Sequence, residues 1–116
     1  MLVTILAAAL TISCQSPGIV DGDTLRCAGE RIRLWGVNSV ERGQPGYGDA
    51  SRALARLTTG HVVECRLPPS GQDRDRYGRA VRQCFVGGRD VAAEMVRQGQ
   101  ARDMPRYSKG YYGDVR

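Results

Sequence analysis

Along the 116 residues the period of apolar and polar positions changes several times, and each change marks an element. Ile19-Val20, Asp21-Gly22-Asp23 and Thr24-Leu25-Arg26-Cys27 read as strand, tight turn and strand, because Asp-Gly between apolar runs is a strong hairpin signal. Ala28-Gly29-Glu30 is a second turn. Arg31-Ile32-Arg33-Leu34-Trp35 then alternates polar with apolar, as a half-buried strand does. Residues 42–48, RGQPGYG, are a flexible loop. From Asp49 the run ASRALARLTTG fits a short helix, with Asp49 as its cap, Ala50, Leu54 and Leu57 on one face, and Gly60 as its stop. His61 to Leu67 is a fourth strand and Pro68 to Asp75 a polar loop. Arg79 to Val86 alternates again and ends at Gly87-Gly88; Asp90 opens a second helix, VAAEMVRQ, closed by Gly99. Three strands, a helix, two strands and a helix give a mainly β chain with helices (α+β). That order is the layout of a five-stranded Greek-key OB barrel with two short helices.

Composition agrees with one folded domain: 41% hydrophobic and 25% charged residues argue against long disorder. The first residues, MLVTILAAALTISC, form an apolar run too short for a membrane span of ~20 residues. Its length suits a signal-peptide core, although no basic residue precedes it. The expectation is a signal peptide over 1–13 and a single domain over 14–116, secreted or periplasmic, with no stable membrane association and monomeric. A buried first strand is the alternative.

Four cysteines, Cys14, Cys27, Cys65 and Cys84, lack CxxC spacing, and His61 is the only histidine, so a zinc site is not expected. An even number in a small exported domain reads as two disulfides. Three pairings are possible. Cys14 and Cys27 flank the Asp21–Asp23 turn, and Cys65 and Cys84 fall on two consecutive strand-like runs, which favours 14–27 and 65–84. Four reduced thiols in a cytosolic chain are the alternative.

The net charge is +5, and all but one of the 17 basic residues are arginine, Lys109 being the exception. Arginine grips phosphate with two donors at once, so the balance suits an anionic partner such as nucleic acid.

Four short motifs then stand in order: Val20-Asp21-Gly22-Asp23-Thr24, Arg33-Leu34-Trp35-Gly36-Val37 running to Glu41, Asp75-Arg76-Tyr77-Gly78-Arg79, and Met95-Val96-Arg97-Gln98-Gly99. In order and spacing they resemble the thermonuclease, or staphylococcal-nuclease-like, family, over about Ile19 to Tyr107. The resemblance implies a calcium-assisted endonuclease that hydrolyses DNA and RNA to 3′-phosphate products. It puts catalytic arginines at Arg33 and Arg79 and a general base at Glu41. It implies a calcium ion held by Asp23, Asn38 and the backbone carbonyl of Ser39, and substrate contacts from Tyr77 and Tyr107. The chemistry needs this cast: the transition state spreads negative charge over the phosphoryl oxygens, planar guanidinium forks match them, and a base must hold the attacking water. Read alone, Asp21 and Asp23 are also ordinary turn formers.

The chain departs from the family's pattern in three places. Asn38 and Val40 stand where the family has aspartate and proline. One lost charge at ~4 Å is worth about 1–4 kcal/mol, so calcium is expected to bind weakly. Without proline the loop carrying Glu41 is less fixed. Gln100 stands where an apolar residue would close the core, and the family continues into a C-terminal helix that residues 107–116 could only begin. The expected activity is therefore an impaired nuclease. The alternative is an OB-fold module that binds nucleic acid with little or no hydrolysis.

Overall fold

A computed structural model describes residues 10–115. Among them one seven-stranded sheet runs in the order β1-β6-β7-β4-β3-β2, with β8 added on β7, and a two-stranded sheet joins β5 to β9. The strands are β1 (Ile12–Gln15), β2 (Gly18–Asp21), β3 (Thr24–Cys27), β4 (Glu30–Leu34), β5 (Val37–Ser39), β6 (Val62–Arg66), β7 (Ala80–Val86), β8 (Arg89–Asp90) and β9 (Ala101–Asp103). Helices α1 (Tyr47–Thr58), α2 (Val91–Arg97) and α3 (Pro105–Ser108) complete the α+β fold. The β4–β7 ladder is parallel, Ile32 facing Ala80 and Arg33 facing Val81, and the other ladders are antiparallel. The sheet curls into an OB-like half-barrel, and Leu25, Ile32, Leu34, Leu54, Val63 and Met95 fill it with no more than 1% exposure each. Each such side chain contributes about 1.5–3 kcal/mol through its burial.

Both expected disulfides are present, Cys14–Cys27 and Cys65–Cys84. Cys65 and Cys84 face each other directly across β6 and β7. Cys14 meets Cys27 by a different route from one hairpin: β1 pairs with β6, not with β3, so this bond ties the β1 edge of the curled sheet to β3 near its other edge. The expected signal segment lies outside the described residues as far as residue 9. Ile12 and Ser13 are strand residues, paired with Cys65 and Glu64. No helix among the described residues is long and apolar enough to cross a membrane.

Two local expectations need correction. Asp49 does not cap α1: the helix starts two residues earlier, at Tyr47, from a left-handed Gly46, and Asp49 lies in the first turn, paired with Arg52. Gly46 supplies the positive φ that a β-carbon would oppose, so the chain turns into the helix without a side-chain cap. Gln100 is half-buried, and its side chain is not among the buried groups lacking a partner. Tyr112, 1% exposed, belongs to the core, and its hydroxyl donates to Asp90 Oδ2 at 2.8 Å, while Gln83 Nε2 donates to the same oxygen at 2.9 Å. The other oxygen of Asp90 accepts from Ala93 N and caps α2, as expected.

One glycine fixes where the β2–β3 turn sits. A β-carbon on Gly22 would lie 2.7 Å from both Ala50 Cβ and Ser39 Oγ. Only glycine lets this turn press against α1 and β5, and that contact delivers Asp21 and Asp23 to the same end of the barrel as β5.

Candidate active site

Asp21, Asp23, Arg33, Asn38, Glu41 and Arg79 line one cavity of about 270 Å³, with Ser39, Val40 and Arg42. Residues from positions 21–23, 33, 38–42 and 79 meet there. Asp21 and Asp23 come from the β2–β3 turn and Arg33 from β4. Asn38 comes from β5, Glu41 from the loop after it, and Arg79 from the residue ahead of β7. The spacing of β4 explains Arg33: Ile32 and Leu34 point into the core, so Arg33 must point out of it.

Arg33 is tightly held. Its Nη1 donates to Leu34 O at 2.9 Å and to Val37 O at 2.8 Å, and its Nη2 to Asn38 Oδ1 at 3.3 Å. The same Nη2 lies 3.6 Å from Asp23 Oδ2. Burial pushes the guanidinium below its ordinary pKa, with Asp23 opposing the shift and Arg79 adding to it; an arginine stays charged regardless. Arg79 is oriented differently. Its Nε donates to Asp75 Oδ2 at 2.7 Å, and Asp75 Oδ1 accepts from the backbone N–H groups of Tyr77 and Arg79. The terminal nitrogens of Arg79 make no hydrogen bond among the described residues, so they are available to a ligand. Burial alone would raise the Asp75 carboxyl, but the Arg79 and Tyr77 donors outweigh it and hold its pKa below the usual carboxylate range. Glu41 is exposed, and its carboxylate has no partner among the described residues.

A second, larger cavity of about 490 Å³ shares Arg33 and Arg79 with the first. Tyr77 and Tyr107 line it, 64% and 48% exposed, with Arg76 and Arg106 beside them. The Arg79 guanidinium stands 5.4 Å from the centre of the Tyr77 ring. The two tyrosines expected to touch substrate are thus brought together, next to the expected catalytic cavity.

The groups in the smaller cavity able to ligate a cation, on Asp21, Asp23, Asn38, Ser39 and Glu41, offer oxygen, which fits a hard divalent cation in type, while Arg33, Arg42 and Arg79 line the same cavity. The oxygens of Asp23 and Asn38 are already engaged, however. Asp23 Oδ1 accepts from Thr24 Oγ1 at 3.0 Å and Oδ2 from Ser39 N at 3.1 Å, and Arg33 reaches Asn38 Oδ1. Among the described residues no three His, Cys, Asp or Glu side chains gather as a metal cluster. The set therefore suits calcium in chemistry and falls short of it in negative charge.

Sequence reasoning did not assign roles to several residues. Asp21 was legible only as a turn former, yet it lines the cavity and is held by the Tyr47 hydroxyl, which also donates to Val20 O at 3.2 Å. Asp75 was quoted in a motif but given no role as the anchor of Arg79. Nothing in local spacing shows that Tyr47, 26 residues beyond Asp21, returns to it.

A small OB-like half-barrel gathers arginines and carboxylates in one cavity. The family described as "Staphylococcal nuclease homologue" matches residues 31–114, and the chain belongs to it. It is 35% identical over 109 residues to the "Succinoglycan biosynthesis protein ExoI" of Rhizobium meliloti (strain 1021), covering 84% of this chain and 55% of that protein. It is 29% identical over 101 residues to an "Uncharacterized endonuclease" of Haemophilus influenzae (strain ATCC 51907 / DSM 11121 / KW20 / Rd), covering 83% and 54%. It is 32% identical over 71 residues to the "Probable staphylococcal-like nuclease CAN1" of Oryza sativa subsp. japonica, covering 61% and 20%. The chain spans little more than half the length of the longest-matching of these relatives.

Proposed function

We propose that the protein is an exported endonuclease that hydrolyses phosphodiester bonds of DNA or RNA to 3′-phosphate products, with catalysis by Arg33, Glu41 and Arg79. The observation that carries this reading is that these three side chains, from three separate segments, line one cavity. Arg33 is fixed by carbonyl oxygens on one side and presents its remaining surface to the cavity. Arg79, anchored through Nε to Asp75, leaves its terminal nitrogens to grip two phosphate oxygens. Cations placed in advance need no reorganisation as charge builds in the transition state. The exposed, unpaired Glu41 carboxylate is suited to hold a water and take its proton as that water attacks phosphorus; the bond to the 5′ oxygen then breaks. Tyr77 and Tyr107 offer aromatic faces to the neighbouring nucleosides.

A calcium ion would be held by Asp23, Asn38 and the Ser39 carbonyl, with Asp21 alongside. When bound it supplies further neutralisation of phosphate charge. The neutral Asn38 makes that binding weak, so the enzyme is expected to be slow at low calcium. The two disulfides support an oxidising compartment.

The test is incubation of the purified chain with single-stranded DNA in calcium and in chelator, with end-group analysis of the products. Calcium-dependent fragments ending in 3′-phosphate support the reading. DNA binding with a steep salt dependence but no cleavage would instead support a binding module on the same fold.

A further inference from the structure

Thr24 faces Arg33 across β3 and β4, and one step along the same ladder Arg26 faces Arg31. Leu25, Cys27, Ile32 and Leu34 point into the core, so Arg26, Arg31 and Arg33 share the outer face of the sheet. Arg26 and Arg31 are both exposed, and neither makes a side-chain hydrogen bond or ion pair among the described residues. Arg33, Arg52, Arg66, Arg74, Arg79, Arg82 and Arg97 each pair with a carboxylate, and among the described arginines that do not, only Arg26 and Arg31 face each other across a ladder. Like charges directly opposite on an antiparallel pair cost a few tenths of a kcal/mol or more. No carboxylate offsets that cost here. Beyond Arg26 the row ends at Gly18, exposed and without a side chain. Two residues along a strand span ~6.8 Å, close to one phosphate-to-phosphate step of an extended single strand. Arg31 and Arg33 are two residues apart on β4, so the Arg26–Arg31 pair sits one such step along the strand from Arg33.

We propose that Arg26 and Arg31 form a phosphate track that holds the backbone of single-stranded nucleic acid one nucleotide away from the phosphate at Arg33 and Arg79. This rests on the reading of Arg33 and Arg79 as the grip on the reacting phosphate. The track makes the protein a reader of strands rather than of dinucleotides: a substrate with a single phosphodiester cannot reach it. Chains that bind single strands without base preference join a basic surface along the backbone to aromatic faces for the bases. Here the track is the first part and Tyr77 with Tyr107 the second.

The test compares the parent chain with the double variant Arg26→Ala/Arg31→Ala, and with Arg26→Gln/Arg31→Gln, which keeps side-chain bulk. The probes are a labelled oligothymidylate of roughly twelve nucleotides and a thymidine dinucleotide. Each phosphate contact on a single strand adds about 0.7 to the slope of log affinity against log salt, so losing two should flatten it by ~1.4. At ~0.1 M salt the same exponent gives a loss of roughly 25-fold in affinity for the long strand. Dinucleotide cleavage should not change, and the thermal melt should not fall, since the like-charge cost is relieved. A variant that binds the long strand as tightly as the parent, with the same salt slope, overturns the track. If nothing cleaves but the variants still lose affinity and slope, the track stands and the hydrolytic reading falls. If the parent cleaves and the variants bind like it, the reverse holds.

Discussion

Restoring a carboxylate at position 38 should tighten calcium binding by about tenfold. Asn38 lines the smaller cavity, and its Oδ1 accepts from Arg33 Nη2 at 3.3 Å. Asn38→Asp keeps the oxygen and adds one unit of charge. At ~4 Å, a unit charge is worth about 1 kcal/mol in a water-like medium and about 4 kcal/mol at a surface-like dielectric. The cavity is open to solvent, so the lower figure applies, and a divalent ion doubles it. Part of the gain is diverted, because the new carboxylate also pairs more strongly with Arg33. What remains is on the order of 1–2 kcal/mol, or about tenfold. Calorimetric titration with calcium measures the dissociation constant directly. The calcium-dependent rise in melting temperature gives a second readout, since each tenfold in affinity adds about 1.4 kcal/mol of stabilisation at saturating ion. Unchanged affinity in both experiments would refute the placement of residue 38 beside the cation. Faster cleavage without tighter binding would refute the electrostatic argument for it.

Gly22→Ala should cost about 1–3 kcal/mol of stability by forcing a β-carbon to within 2.7 Å of Ala50 and Ser39. A urea melt checks this, and a parent-like midpoint would show that the turn does not press on α1. Asp75 has its pKa depressed in the folded state, so its contribution is present above the ordinary aspartate pKa. That contribution is lost as pH falls through the lower, folded value. Stability of the parent should therefore decline below pH ~4, and Asp75→Asn should remove that part of the decline while weakening the hold on Arg79; equal acid profiles would contradict this.

Much of the fold was legible because its elements are local. The Asp-Gly hairpin, the alternation of β4 and the Asp90–Gly99 bounds of α2 each depend on residues within a few positions, and each is found close to where the pattern put it. The pattern places the α1 start too late because Asp49 is a good cap by type, while a left-handed Gly46 three residues before it does the work through backbone geometry. Gln100 stands where the pattern asks for an apolar residue, yet it is only half-buried, and the buried Tyr112 comes from a segment with no periodic signal. The convergence of Arg33, Glu41 and Arg79 in one cavity was legible only through resemblance. No local rule tells that the residue ahead of β7 lies beside β4, since that depends on a parallel crossover. The Tyr47–Asp21 contact and the Asp75 anchor were illegible for the same reason: side-chain pairing across the fold leaves no period in the chain.

The central claim is that a phosphate in the Arg33–Arg79 cavity is attacked by water held at Glu41, and single-turnover cleavage by Glu41→Gln tests it most directly. Glutamine keeps the size of the side chain and removes the base. The account predicts that binding of single-stranded DNA, followed by fluorescence anisotropy, stays within about twofold of the parent while the cleavage rate falls by about 10²–10⁴-fold. Cleavage by Glu41→Gln at the parent's rate, with binding intact, would contradict it.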